Sequence, residues 1–430
     1  MLRPIPLVSL LLLSACAARS SPADSPATGG THEGDGAESS VPDGEDSGSE
    51  LRAPDPIPWR VLVYMVGDND LEGWVKHDLD ELEQGLPDDA QVGALVLADR
   101  AEGFATNDGD WTDTRLFRIV PDEKARAVDS PAIEEWGEAN MADPATLEAF
   151  LDRADALMPA EHTILVLWNH GTSWTATAGE GPPPPGFGWD EQSGDDLSIS
   201  SGELQAGLHA AVERNGRFDV VAFDACNMAG WEVGLSLQPA AEVMVAAQTT
   251  VGMQGLQYTP LIEALRADPT QDAPSVAAAM AAAAVRGGGE RTFSAIDLDR
   301  LPAVSAVLDG LAEDALSDPK AWDRLLVARA AAGSPEAGAR WRLSFLDAAD
   351  LGAALADEGG PGEALIDVVD AAVIASAKAD GVRPAGGLNV YADTALLVPY
   401  ARGTGAVWAR RTAWDDLLVQ IAAEEAAAAR

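Results

Sequence analysis

Two apolar runs in this chain end on residues that could do chemistry together. Leu165 to Trp168 leads into Asn169-His170-Gly171, and Val220 to Phe223 leads into Asp224-Ala225-Cys226. An imidazole beside a thiol can take the thiol proton or hold the thiolate, which makes the sulfur a nucleophile. Backbone amides at Gly171 and Cys226 are candidates to stabilise the oxyanion such an attack creates. A helix expected just after Cys226 would add a favourable N-terminal field. The remaining histidines are worse placed. His32 lies in a polar stretch, His77 and His209 lie in helical patterns, and His162 precedes its strand at the wrong end. An isolated cysteine is ordinarily a buried, inert one; the setting of Cys226 argues for use.

The elements that must position these groups follow from periodicity. Val61 to Val66 is a continuous apolar run, as in a strand buried on both faces. A helical pattern covers Leu71 to Leu86, and Val92 to Ala98 is a second apolar run. A helix starting at Pro144 and a strand from Thr163 to Trp168 come next. A helix over Ser201 to Val212, a strand over Phe218 to Phe223, a helix over Trp231 to Leu237 and a strand over Val243 to Ala247 follow. Such alternation predicts an α/β fold with a mostly parallel central sheet flanked by helices. Functional groups in these sheets gather at the carboxyl ends of the strands. The strands ending at Trp168 and Phe223, with one helix between them, are predicted neighbours. We read residues 59–300 as the catalytic domain and 301–430 as an Ala-rich, mainly helical region ending in an amphipathic stretch from Trp408 to Ala423. That region has no cysteine or histidine and is assigned no chemistry.

The amino-terminal part reads differently. Arg3, an apolar stretch from Ile5 to Leu13 and Leu13-Ser14-Ala15-Cys16 resemble a bacterial lipoprotein signal (residues 1–16) with Cys16 as the acylated residue. Ala17 after that cysteine favours the outer membrane. Residues 17–58 are rich in Ser, Gly, Pro and acids and have the composition of a disordered tether. With Cys16 given to lipid, Cys226 is the only thiol left, so no disulfide framework exists. Seventy Asp and Glu against 28 Lys and Arg give a net charge of −42, which argues against nucleic acid and favours basic partners. A monomer is expected. No Gly-x-Ser-x-Gly elbow, phosphate loop or His-Glu-x-x-His pair is present.

Several stretches in one order resemble the clostripain family of cysteine peptidases, relatives of caspases and gingipains. Val63-Tyr-Met-Val-Gly-Asp68-Asn69-Asp70-Leu71-Glu72 resembles its opening strand and turn. Leu165 to Trp174 resembles its histidine motif, and Phe223 to Gly230 with Glu232 its cysteine motif. Gly188 to Glu191, Leu197 to Ser200, Glu203-Leu204, Ala247 to Tyr258 and Phe293 to Leu298 are similar to further family segments. The separation of His170 from Cys226 is close to the roughly 50 residues of caspases. The resemblance implies a caspase-like fold and hydrolysis of peptides through a thioester, with His170 as base and Cys226 as nucleophile. It also implies cleavage after Arg or Lys, with Asp224 as the acid of the specificity pocket. One departure is the loop between Gln248 and Tyr258, which has no acid where relatives often carry one. The Pro182 to Pro185 run reads as an exposed loop and a candidate nicking site. No cofactor is required by this chemistry. Calcium is needed by some relatives, and Asp190-Glu191 with Asp195-Asp196 could hold a cation, although at this acidity a solvated loop is the plainer reading. The rival to an enzyme is a silent surface lipoprotein that uses the same fold as a binding or scaffolding module.

Overall fold

The computed structural model describes residues 55–86, 91–106, 109–122, 124, 126–174, 186–286, 292–335, 345–355, 360–383 and 385–430. The expected signal with Cys16, His32, the tether up to residue 54 and the Pro182 to Pro185 run lie outside the described residues.

The first strand, β1 (Ile57–Met65), is buried from Trp59 onward because it runs through the middle of the sheet. α1 (Glu72–Gly85) follows, then β2 (Val92–Ala98), β3 (Thr114–Arg118), β4 (Ala132–Gly137), α2 (Pro144–Leu157) and β5 (Ala160–Trp168). α3 (Glu203–Asn215), β6 (Phe218–Asp224), α4 (Trp231–Leu237), β7 (Ala241–Ala246), α5 (Tyr258–Ala267), α6 (Ala273–Arg286) and β8 (Thr292–Asp297) complete the first 300 residues. Then come α7 (Leu301–Ser317), α8 (Pro319–Ala331), β9 (Phe345–Asp347), α9 (Ala348–Leu355), α10 (Pro361–Ala372), β10 (Val373–Lys378), β11 (Asn389–Tyr391), α11 (Leu397–Arg402) and α12 (Trp414–Ala428).

Nine strands form the main sheet in the order β10-β8-β7-β6-β5-β1-β2-β3-β4. The five central strands from β7 to β2 pair in parallel, and the outer pairs on both sides are antiparallel. Two apolar layers cover the faces. One packs α1, α5 and α6 through Val75, Leu79, Ile262 and Met280. The other packs α2, α3, α4, α7 and α12 through Phe150, Leu208, Leu235, Leu308 and Leu418. Doubly covered central strands explain why β1, β5 and β6 read as unbroken apolar runs.

The outer strands were harder to read. β3 and β4 are short, and β4 alternates between partly buried and exposed residues with none fully buried, so no apolar run marks them. β10 follows α10 directly and alternates in exposure as an edge strand does, so in sequence the two merge into one Ala- and Val-rich stretch. The final helix begins at Trp414, not Trp408. Trp408 is buried in the preceding turn, where its indole donates to the Tyr400 carbonyl at 2.9 Å. His162 sits inside β5 near its start, not ahead of it. It bonds Asp219 at 2.7 Å and stacks on Trp59, at the end of the sheet away from His170.

Candidate active site

β5 and β6 are parallel neighbours, with Trp168 opposite Asp224, and the Asn169 amide donates to the Asp224 carbonyl at 3.2 Å. His170 and Cys226 therefore leave the sheet side by side. Gly171 makes the approach closer still. A Cβ at Gly171 would stand 2.5 Å from the Cys226 carbonyl oxygen and 3.0 Å from Ala225 Cβ, so only glycine lets the two strand ends meet. Asn227 takes a positive φ of 60°, which Asn tolerates better than most residues, and its amide donates to Thr249. The chain thus turns sharply beneath the thiol. α4 starts only at Trp231, with Asn227 to Gly230 between, so the expected helix is not immediately behind the sulfur. Instead the Val251 amide points at Sγ from 3.3 Å.

The turn after β1 faces the histidine. His170 Nε2 lies 2.7 Å from an Asp70 carboxylate oxygen. Two asparagines fix this corner. Asn69 donates to the Val66 and Trp189 carbonyls, and Asn169 donates to the same two. The Asn69 side chain also caps the Leu71 amide, which starts α1.

His170 and Cys226 line one cleft of about 210 Å³, with Leu71, Trp74, Asp78, Trp168, Asp224 and the Thr250 to Met253 loop. Asp224 is buried. It accepts from the Leu256 amide and the Tyr258 hydroxyl, both at 3.0 Å. Burial pushes its carboxyl up to about 6, against the pull of those two donors and with the Glu81 charge adding to the rise. Asp78 stands beside it. Its Oδ2 accepts from the Trp168 indole at 2.6 Å. Burial, then the charges of Asp224 and Glu81, hold it well above the usual carboxylate range. Sequence reasoning passed over both Asp70 and Asp78. For Asp78 a signal existed: an acid between Val75 and Leu82 on the apolar stripe of an amphipathic helix. For Asp70 the spacing alone could not say which acid of the turn meets the histidine.

A second cavity of about 230 Å³ lies at the opposite ends of the strands, and its Arg60 is already paired with Asp155.

In the two acidic doublets, read above as a solvated loop that could hold a cation, Asp190, Asp195 and Asp196 all accept hydrogen bonds. Asp190 accepts the Met141 and Ser193 amides, Asp195 accepts from Asn140 and the Asp196 amide, and Asp196 accepts the Gly186 amide. They fold the loop that leads to α3. Among the described residues, the carboxylates that converge are Asp68, Asp99 and Glu138, with ligand atoms within 4.8 Å of one another. Asp99 Oδ2 is buried with no hydrogen-bond partner among the described residues. Burial, then the charges of Glu138, Asp190 and Asp68, push Asp99 up to about 8. An all-oxygen set of this kind fits calcium.

The region after residue 301 braces the cysteine turn. The Asn389 amide donates to the Ala229 carbonyl at 2.8 Å, and Gln248 bonds Asp347, Gly387 and Asn389. Glu232, in the first turn of α4, is fully buried and accepts from the Tyr391 amide and the Tyr400 hydroxyl, both at 2.9 Å. No helix among the described residues is long and apolar enough to cross a membrane.

The sequence profile of the clostripain family matches residues 63–334. Clostripain of Hathewaya histolytica is 27% identical over 225 residues, which is 48% of this chain and 42% of that protein. The chain thus spans less than half the length of that relative. An inactive zymogen protease from Parabacteroides distasonis shares the fold with a TM-score of 0.57 and 21% identity, over 79% of this chain and 92% of its own. A secreted cysteine protease from Bacteroides thetaiotaomicron, solved with an irreversible peptide inhibitor, does so with a TM-score of 0.60 and 20% identity, over 83% and 99%.

Proposed function

The chain belongs to the clostripain family, and from that premise we propose that it is a cysteine endopeptidase with Cys226 as nucleophile and His170 as base. The observation that carries this reading is the single cleft that holds both groups above two buried acids. With Nε2 on Asp70, the Nδ1 of His170 is the nitrogen left to take the thiol proton. The thiolate adds to the scissile carbonyl, and amides at Gly171 and Cys226 steady the oxyanion. His170 then returns the proton to the leaving amine, and water hydrolyses the thioester. Asp224, at the cleft floor, supports cleavage after Arg or Lys.

No cofactor is required for this chemistry; were calcium to bind, the convergent Asp68, Asp99 and Glu138, rather than the doublets read from sequence, would hold it. The protein is exported and anchored through Cys16 to the outer membrane, and acts as a monomer on peptides with basic residues. The test is a fluorogenic peptide panel with Arg, Lys or neutral residues before the cut, on wild type and Cys226→Ala under reducing conditions. We expect the variant to lose at least about 10³-fold in kcat while it keeps its Tm. Turnover that survives in Cys226→Ala would sink the mechanism. Silence of folded wild type on every peptide would favour the scaffolding module.

A further inference from the structure

The cleft contains an acid that no loop of the expected pocket supplies. We infer that Asp78, on α1, is the specificity-determining residue of the cleft and takes the cationic end of the substrate side chain jointly with Asp224. This rests on the peptidase reading of the same cleft.

Bookkeeping of hydrogen-bond acceptors carries the inference. Both oxygens of Asp224 already accept a donor, from Leu256 and from Tyr258. Asp78 has one oxygen engaged by Trp168, while its Oδ1 is buried and without a partner among the described residues. Asp78 is 2% exposed, and among the described residues no Lys or Arg lines the cleft. Glu81, the other acid whose charge acts on Asp78, faces His77 at 3.5 Å and accepts from the Tyr258 amide. Leaving a carboxylate oxygen buried and unmet is unfavourable unless a cation arrives. Burial and the neighbouring acids raise the pKa of Asp78, so the site favours a proton or a cation at this carboxylate.

The walls fit the same ligand. Leu71, Trp74, Trp168 and Met253 offer apolar surface for the methylene stem of Lys or Arg, and the cleft volume suits one such side chain. The Thr250 to Gly255 side contributes no acid, so the second carboxylate comes from α1 on the other wall. Two acids also favour Arg over Lys, because a guanidinium fork can address both while an ammonium is a single point.

The test uses Asp78→Asn, which keeps the shape and an acceptor for Trp168. Its kcat/KM on Arg peptides should fall about 10- to 100-fold, with KM carrying most of the change and neutral-residue peptides unaffected. A second readout needs no turnover: binding of agmatine, a small guanidinium compound, to the full chain carrying Cys226→Ala. Agmatine should bind and raise Tm, and adding Asp78→Asn should weaken it at least tenfold. Loss of agmatine affinity in Asp78→Asn, with no peptide cleaved by wild type, would leave the cation site standing and remove the peptidase reading. Unchanged Arg selectivity and unchanged agmatine binding would overturn the inference. So would a wild-type chain whose Tm agmatine does not move, whatever the variant does.

Discussion

Asp70 crosses from the turn after β1 to His170 because β1 and β5 are parallel neighbours that end at the same level. Its carboxylate can hold the ring in one orientation and stabilise the imidazolium formed when the thiol gives up its proton. The Asp70 side chain is 71% exposed, so the effect should be far smaller than for a buried triad acid. Asp70→Asn is expected to lower kcat on the order of tenfold with KM almost unchanged, and an unaltered kcat would make the contact incidental. At this scale the sequence was legible in part. His170, Cys226 and Asp224 announce themselves by following apolar runs, and the structure brings all three to one cleft. Asp70 and Asp78 could not be given partners, because strand order and the rotation of α1 decide what they face.

α4 shows why the elements around the site need the far part of the chain. Glu232 lies in the first turn of this seven-residue helix, and its partners are Tyr391, the last residue of β11, and Tyr400 of α11. Burial pushes its carboxyl up to about 7, although the Tyr391 amide and Tyr400 hydroxyl pull it back. The folded chain therefore holds this proton more tightly than the unfolded chain, whose value is near 4.5. The stability this contributes is full below the unfolded value, is lost as pH rises toward 7, and changes no further above that. Glu232→Gln should flatten the fall in unfolding free energy between pH 5 and 7.5, by an amount on the order of 1–3 kcal/mol. Identical slopes in thermal unfolding of the two proteins would rule this out. The Glu was visible in the cysteine motif, but nothing local could tell that its acceptors are met from so far along the chain. Alternating strands and helices were readable for the same reason that the edges were not. Strands covered on both faces leave long apolar runs, whereas β3, β4 and β10 bury too little to leave one.

Over the whole molecule the charge of −42 is the dominant electrostatic fact. Many basic side chains already sit in pairs, such as Arg60 with Asp155, Arg100 with Glu72 and Arg217 with Asp299. The acids left over repel one another across the surface, and added salt screens that repulsion over about 10 Å at 0.1 M. Raising NaCl from about 0.05 to 0.5 M should therefore lift Tm by a few degrees at pH 7.5, and a Tm that falls instead would show that the attractive pairs dominate. The same excess charge attracts cations in general and repels other polyanions.

The contact between Asn389 and the cysteine turn has a consequence in time. A ribosome makes Cys226 well before it makes Asn389, and at about 5–20 residues per second the gap is on the order of ten seconds. During that interval the central strands can pair, yet Ala229 lacks the amide that later holds its carbonyl, and Glu232 is without Tyr391 and Tyr400. The nascent chain thus carries its thiol before it carries the brace that shapes the turn around it. Synthesis of this late segment becomes the last step in assembling the site, so a chain ended before Asn389 is expected to carry the thiol without its brace.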